Sequence, residues 1–378
     1  MFMCLHCGRF TALPTCQHCG SAFEIVDGVY QLTRDPNLNL DDGHGAKYIG
    51  YDRVGAYYYD KGYPGAVCKP ADMVLAKKMA ELIGAGVLLD VGCGGGTYAV
   101  PAALHGCTVI AGDISQVMLE LMLRKAAANG VPAGCVIPCR MNALTIPLAD
   151  ASVDGVLAST MLHLISDPMR VIAEIRRVLK PGGKLMLTTN SPGANASARA
   201  QAAPAPAPRA AAQGDDAARA GATPQADAAP QSGAAGQAAP ASQQPGPPAP
   251  AAMAVNREYT RRENEFHKRY WKFLNEVGVS SAHQSWSFDQ YAACEAVFGN
   301  MVHLHIPFKA PITWTLSDGF LYRMGGKGFS RQQSIPDDLH AQVFARVLAE
   351  FTEAYGPDFG AIQFVGEHDG LDLRVFDK

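Results

Sequence analysis

No apolar run in this chain of 378 residues approaches the length of a membrane span, and the N-terminus has neither the basic start nor the apolar stretch of a signal peptide. The expectation is a cytoplasmic protein without a membrane partner. A strongly basic segment is also missing. With 32 Lys and Arg against 35 Asp and Glu the formal net charge is −3, so electrostatics do not announce nucleic-acid binding. Between residues 191 and 255 there is no aromatic side chain, and Met253 and Val255 are the only larger apolar ones. A segment of Ala, Pro, Gln, Gly and Ser cannot bury enough surface to offset the entropy of ordering it, so this stretch reads as a disordered insert.

Cysteine, by contrast, is plentiful, and ten cysteines in a reducing compartment read as thiols or metal ligands. Four of them, Cys4, Cys7, Cys16 and Cys19, form two Cys-x2-Cys pairs, each followed by a glycine (Gly8, Gly20) that permits a tight knuckle. Two such pairs in so short a span leave no room for the core of a redox domain. They point to a structural zinc ion held by four thiolates with no open position. Spacing alone leaves His6 and His18, inside the knuckles, open as ligands. Phe23 to Val26 and Val29 to Leu32 flank Asp27-Gly28 and read as a hairpin completing a zinc ribbon.

The chemistry-bearing stretch is Val87-Leu88-Leu89-Asp90-Val91-Gly92-Cys93-Gly94-Gly95-Gly96-Thr97. An apolar run of strand length ends on an acid, breaks into glycines and is followed by a helical pattern, which is the opening of a nucleotide-binding βαβ unit. The dinucleotide fingerprint needs a small residue at 97, and Thr97 stands there. Asp90 at the strand tip repels a pyrophosphate and attracts the ammonium and sulfonium of S-adenosylmethionine. The second strand, Thr108 to Asp113, also ends on an acid, placed to accept hydrogen bonds from both hydroxyls of a ribose. Gly92, Cys93, Gly94 and Gly96 in the turn, Ile114 beside Asp113, and Asn142 and Ala143 beyond a third strand complete the expected cofactor contacts, Asn142 reading the adenine edge.

Further along, a helix spans 71–84, Ser115 caps a second helix that Gly130 ends, and Val153 to Ala158 form a fourth strand. Asp167-Pro168 starts a helix running to Leu179, and Lys180-Pro181-Gly182-Gly183 turns it into a fifth strand, Lys184 to Thr189. After the insert, Asn256 caps an amphipathic helix, 288–298 reads as another, Met301 to Ile306 as a sixth strand, 314–324 and 337–355 as helices, and 370–376 as a last strand. Basic residues on the helix after Asn256 (Arg261, Arg262, Lys268, Arg269, Lys272) alternate with glutamates and read as a solvated face.

Together, Leu89-Asp90-Val91-Gly92-Cys93-Gly94-Gly95-Gly96, Gly112-Asp113-Ile114-Ser115, the run from Pro147 to Asp154, Leu162-His163-Leu164 and the run from Arg177 to Gly183 resemble the class I S-adenosylmethionine-dependent methyltransferases, in their ubiquinone/menaquinone-methylase-like branch. The resemblance is close over residues 70–192 and loose over the C-terminal third. It departs at Asn142, where the family often carries an acid. It implies an α/β, Rossmann-like, doubly wound seven-stranded sheet with substrate-pocket elements after the fifth strand, Trp314, Phe320 and Tyr322 among them. The chain then divides into a zinc ribbon (1–35), an aromatic-rich connection (36–70), a cofactor-binding half (71–190), the insert (191–255) and a C-terminal part (256–378).

In-line methyl transfer needs mainly an aligned acceptor and exclusion of water, with a base where the acceptor must lose a proton. His163, just past the fourth strand, is the first candidate base, and Tyr51, in a cluster with Tyr48, Tyr57, Tyr58, Tyr59 and Tyr63, the second. The expected acceptor is a small organic molecule. An alternative is RNA, since ribosomal RNA guanine methyltransferases also carry an N-terminal four-ligand zinc module, and a third reading is a non-catalytic regulator that docks a protein through the ribbon. Oligomeric state is open.

Overall fold

The computed structural model describes residues 1–33, 67–162, 165, 167–188, 250–279, 289–327, 332, 335–367 and 370–378. Both candidate bases, His163 and Tyr51, lie outside the described residues, as do the rest of the tyrosine cluster and the insert up to residue 249.

The N-terminal segment makes two short strands, β1 (Phe2–Met3) and β2 (Phe10–Thr11), then a hairpin of β3 (Ile25–Val26) and β4 (Val29–Gln31). Next come α1 (Pro70–Leu82), β5 (Val87–Val91), α2 (Ala99–Leu104), β6 (Thr108–Asp113), α3 (Gln116–Ala128), β7 (Val136–Arg140), β8 (Val153–Leu157), α4 (Pro168–Val178) and β9 (Leu179–Thr188). Caps stand where the sequence places them: Ser115 Oγ accepts from the Met118 N–H (3.2 Å), and the Asp167 carboxylate from that of Arg170 (3.0 Å). The C-terminal third holds α5 (Pro250–Glu276), α6 (Gln290–Phe298), β10 (Met301–Ile306), β11 (Pro311–Trp314), α7 (Tyr322–Gly325), α8 (Asp337–Tyr355), β12 (Phe364–Glu367) and β13 (Leu371–Asp377).

Seven strands run in the order β10-β13-β9-β8-β5-β6-β7, parallel from β9 to β7 and antiparallel at β13 and β10, as the seven-stranded expectation requires. The order reverses between β5 and β8, which opens a crevice at their carboxyl ends. Strand side chains alternate between two cores, a period of two on a sheet covered on both faces. Leu89, Val91, Ile110, Val156, Leu185 and Leu187 pack on one side, and Leu88, Val109, Ala111, Leu157 and Met186 on the other.

The ribbon's hairpin joins the main sheet: β4 pairs in parallel with β7 (Tyr30↔Cys139, Gln31↔Arg140), which lengthens the sheet to nine strands among the described residues. Two expected helix starts need correction. The helix expected to start at Asn256 starts at Pro250. Trp314 ends a strand rather than starting a helix, because 311–314 pairs with 364–367, a two-stranded sheet with too few residues to show a period in the sequence. Phe320 is buried against Phe266 (ring centroids 5.5 Å apart), so it is core in the described structure.

Polar latches set the segments that frame the sheet. The Arg177 guanidinium donates to Ile146 O (2.8 Å), Leu148 O (2.7 Å), Asp150 and Glu174, and Glu174 accepts from the Ile146 N–H (2.8 Å). Asp154 accepts from the Val87 N–H (2.8 Å) and from Lys180 Nζ (2.7 Å), tying the start of β5 to β8 and β9. The run from Pro147 to Asp154 and the basic-Pro-Gly-Gly run are therefore structural in this chain. The Pro-Gly-Gly turn itself is carried as a bulge inside β9, where pairing skips from Val153↔Leu179 to Gly155↔Lys184.

Helices α5, α7 and α8 share a third core, with Phe266, Tyr270, Met324, Val347 and Phe351 buried in it. At its centre Tyr270 OH lies 2.6 Å from His340 Nδ1, and His340 Nε2 lies 3.0 Å from Gly325 O. The carbonyl can only accept, so Nε2 carries the proton and Nδ1 accepts from the tyrosine. Tyr270→Phe leaves a buried nitrogen without its donor and is expected to cost about 1–3 kcal/mol by chemical denaturation. Burial holds the His340 pKa below its ordinary value, so the neutral ring's contribution is present above the unfolded-state value of about 6.5 and is lost as pH falls through the lower folded value. Acid should therefore erode the stability of wild type more than that of H340Q.

Candidate active site and metal centre

The tips of β5 and β6 are tied together by the turn that leaves β5. The Gly92 and Cys93 N–H groups both donate to Gly112 O (2.8 and 3.1 Å), and the Gly94 N–H donates to Asp113 Oδ2 (2.9 Å). Asp113 Oδ1 takes the Ser115 N–H (2.9 Å), so a backbone donor holds each oxygen of the carboxylate.

Three of the turn's four glycines, Gly92, Gly94 and Gly96, have positive φ (69°, 51° and 76°) but different duties. A Cβ on Gly92 would stand 2.9 Å from Met161 Cβ, and one on Gly96 2.4 Å from Met122 Cγ, so these two are glycine because the protein packs on them. A Cβ on Gly94 would meet nothing within 4 Å. Gly94 therefore supplies the bare, open backbone that a ligand can approach.

Asp90 is 2% exposed. Its pKa is raised to about 7, first by burial and second by the charge of Asp113, against a backbone hydrogen bond from Ala99 at the start of α2. A cation brought to this edge would offset the charge of Asp113 and favour the ionised form of Asp90. Of the other expected contacts, the Cys93 side chain is buried in the core, leaving only its backbone at the turn. Ile114 is half-buried, and its carbonyl accepts from Arg140 Nε (3.1 Å). Asn142 Oδ1 accepts from the Leu144 N–H (2.9 Å), capping the 3-10 turn Ala143–Thr145 and leaving the amide donors for other partners.

The same edge holds residues that the sequence did not single out. At the ends of β8 and β9, Ser159 Oγ and Thr188 Oγ1 are 2.6 Å apart, with Thr188 buried. Thr160 has φ of 55°, an uncommon conformation for a β-branched residue and one that collects at functional sites. No sequence signal marks any of the three, because their positions follow from strand register.

In the ribbon, the sulfurs of Cys4, Cys7, Cys16 and Cys19 all lie within 4.8 Å of one another, with Cys4–Cys19 and Cys7–Cys16 both at 3.7 Å. A tetrahedral ion with metal–sulfur bonds of about 2.3 Å needs sulfur–sulfur edges of about 3.8 Å, so the set fits zinc. The knuckles are copies of each other: Gly8 N–H donates to Cys4 O (2.8 Å) and Gly20 N–H to Cys16 O (2.9 Å). His18 turns away to Phe10 O (3.2 Å), and neither histidine joins the sulfur cluster. Cys4 and Cys16 are buried in the same apolar cluster as Met141, Ile146 and Leu148 of the connection between β7 and β8. Backbone bonds from Met3 N–H to Pro147 O (2.9 Å) and from Ala149 N–H to Met1 O (3.1 Å) add to that seam.

Residues 89–187 match a family model described as a methyltransferase domain. A demethylmenaquinone methyltransferase of Renibacterium salmoninarum is 38% identical over 100 residues, 26% of this chain and 39% of that protein. A ubiquinone biosynthesis O-methyltransferase of Xylella fastidiosa is 32% identical over 122 residues, 32% of this chain and 48% of that protein. A solved SAM-dependent methyltransferase from Aquifex aeolicus is 26% identical over 32% of this chain and 67% of its own, with a TM-score of 0.28. The chain thus spans less than half the length of the curated relatives it matches. The matched stretch contains both strand-tip acids, Asp90 and Asp113.

Because the ribbon shares a strand pairing and a core with the sheet, Cys7→Ser is expected to lower the stability of the whole sheet, with loss of the bound metal, in a single unfolding transition. Two separated transitions by calorimetry would show that the ribbon folds alone.

Proposed function

We propose that the chain is an S-adenosylmethionine-dependent methyltransferase acting on a small organic acceptor, of the quinone-precursor kind that its relatives' names suggest. The observation that carries this reading is the buried, proton-hungry Asp90 beside the pinned Asp113, with the open backbone of Gly94 between them. When bound, the cofactor supplies a methyl group on a sulfonium, which leaves as a neutral thioether.

The chain's own residues do the rest. Asp113 presents its carboxylate to the ribose hydroxyls, held in orientation by the backbone N–H groups of Gly94 and Ser115. Ionised Asp90 supplies negative charge toward the cationic amino-acid end of the cofactor. Cys93 and Ile114 contribute backbone at the turn and β6 tip, and Asn142 and Ala143 form the adenine side. Ser159, Thr160 and Thr188 line the carboxyl edge of β8 and β9, where the acceptor would meet the methyl group. His163 and Tyr51 remain the proposed bases for an acceptor that must lose a proton. The four thiolates hold zinc in a structural role.

Charge on α5 supports a small acceptor over RNA. Arg261 and Arg262 pair with Glu258, and Arg269 with Glu265 and Glu350, so these guanidinium groups already have carboxylates. Labelled cofactor offered to RNA, protein and small-molecule fractions of a cell extract should place label in the small-molecule fraction; RNase-sensitive label would overturn the choice of acceptor.

Two measurements test the cofactor site. Asp113→Ala removes a carboxylate expected to make two charge-assisted bonds, so calorimetry should show cofactor affinity falling by about 100-fold or more with the far-UV spectrum unchanged; retained affinity would refute the ribose assignment. With Asp90 titrating at about 7, a cation binds best to its ionised form, so cofactor affinity should rise between pH 6 and 8 and then level off. The raised pKa also means that the cofactor-free protein loses stability as pH climbs through about 7, and Asp90→Asn should flatten both profiles.

A further inference from the structure

At the end of the sheet away from the ribbon, β10 and β13 pair with His303 opposite Arg374 and His305 opposite Asp372. Leu304 and Ile306 face the apolar core together with Leu371, Leu373 and Val375, so His303 and His305 project from the other face. There both rings converge on one oxygen: Asp372 Oδ1 lies 3.1 Å from His303 Nε2 and 3.0 Å from His305 Nδ1. The imidazoles are 46% and 47% exposed and the carboxylate 17%. His305 has a seat made for it, since a Cβ on Gly370 would lie 2.1 Å from its Cε1. Arg374 is turned beneath the ring of Tyr291, 4.0 Å from its centroid.

We propose that His303, His305 and Asp372 form a second metal centre, a two-histidine, one-carboxylate site for a divalent first-row transition-metal ion. Imidazole and carboxylate together suit zinc, nickel, cobalt and iron(II) rather than calcium or magnesium. Two histidines at i and i+2 on one strand share a face, and the carboxylate comes from the strand paired beside them. A cross-strand ion pair would use one histidine; here two compete for one oxygen. With metal–ligand bonds of about 2.1 Å, nitrogen–oxygen separations of 3.0–3.1 Å correspond to angles near 90° at the ion. Among the described residues only the cysteines have all ligand atoms within 4.8 Å. The two nitrogens flank the oxygen more widely than that, so loading has to draw the half-exposed rings together by at least about 1 Å.

The site lies on the functional edge of the sheet. Asp90 is level with Leu157 and Met186, and Leu373 is level with Thr188. Asp372 therefore stands three residues, about 10 Å, further toward the carboxyl edge, at the height of the glycine turn. Three protein ligands leave coordination positions open to an outside oxygen or nitrogen donor.

Cobalt(II) distinguishes the two centres on the full-length, tag-free, metal-free chain under reducing conditions. The ribbon equivalent gives an intense thiolate charge-transfer band, whereas the second equivalent should add only weak d–d absorption. In H303A/H305A, and in the near-isosteric Asp372→Asn should the double variant unfold, the second equivalent is expected to bind at least 30-fold more weakly while the thiolate band is unchanged. Uptake of the ribbon equivalent alone by wild type would overturn the proposal. So would an undiminished second equivalent in folded variants, which would assign it to scattered surface histidines.

Discussion

Everything around the crevice depends on the way the backbone closes between the tips of β5 and β6. Three consecutive N–H groups, of Gly92, Cys93 and Gly94, are spent on the neighbouring strand, two on Gly112 O and one on the Asp113 carboxylate. That closure holds one acid in the interior and fixes the other beside it. Burial first, and the charge of its neighbour second, make the interior acid hold its proton to about pH 7. The edge is thereby a site for positive charge before any ligand arrives.

The ribbon contributes to the same edge from the side. Its second hairpin strand lies on β7, its first residues bond the 147–149 backbone, and two of its four thiols are buried with Met141 and Ile146. The segment leading to Asn142 and Ala143 is thus supported on one flank by the ribbon and on the other by the Arg177–Glu174 latch. Metal binding, where it organises the knuckles, organises that wall of the crevice as well. Zinc ribbons are often read as recognition modules; here the hairpin and half the ligand set are used up in intramolecular packing.

Much of this was legible beforehand. Strands β6 and β10 and helix α8 have the bounds that their patterns suggest, because each is a clean apolar period closed by a turn or cap. The cysteine pairs and the strand-tip acids were legible for a chemical reason: few residue types can do those jobs, and they must sit at fixed spacings. What was illegible is what depends on partners distant in sequence. The β11 and β12 pair is separated by 49 residues, and β4 meets β7 across more than a hundred. The hydroxyl pair of Ser159 and Thr188 and the convergence of His303, His305 and Asp372 are likewise products of register between strands.

The amino-acid sequence by itself determined the class of sheet, the four-cysteine cluster and the proposed preference for a cationic nucleotide cofactor, since these follow from local period, spacing and charge. Tertiary structure decided which glycine is open and which are packed. It also decided that Asp90 is buried deeply enough to titrate near neutrality, and that the ribbon is part of the sheet. Burial and register are properties of what comes to lie alongside a residue, and only the folded chain brings those neighbours together.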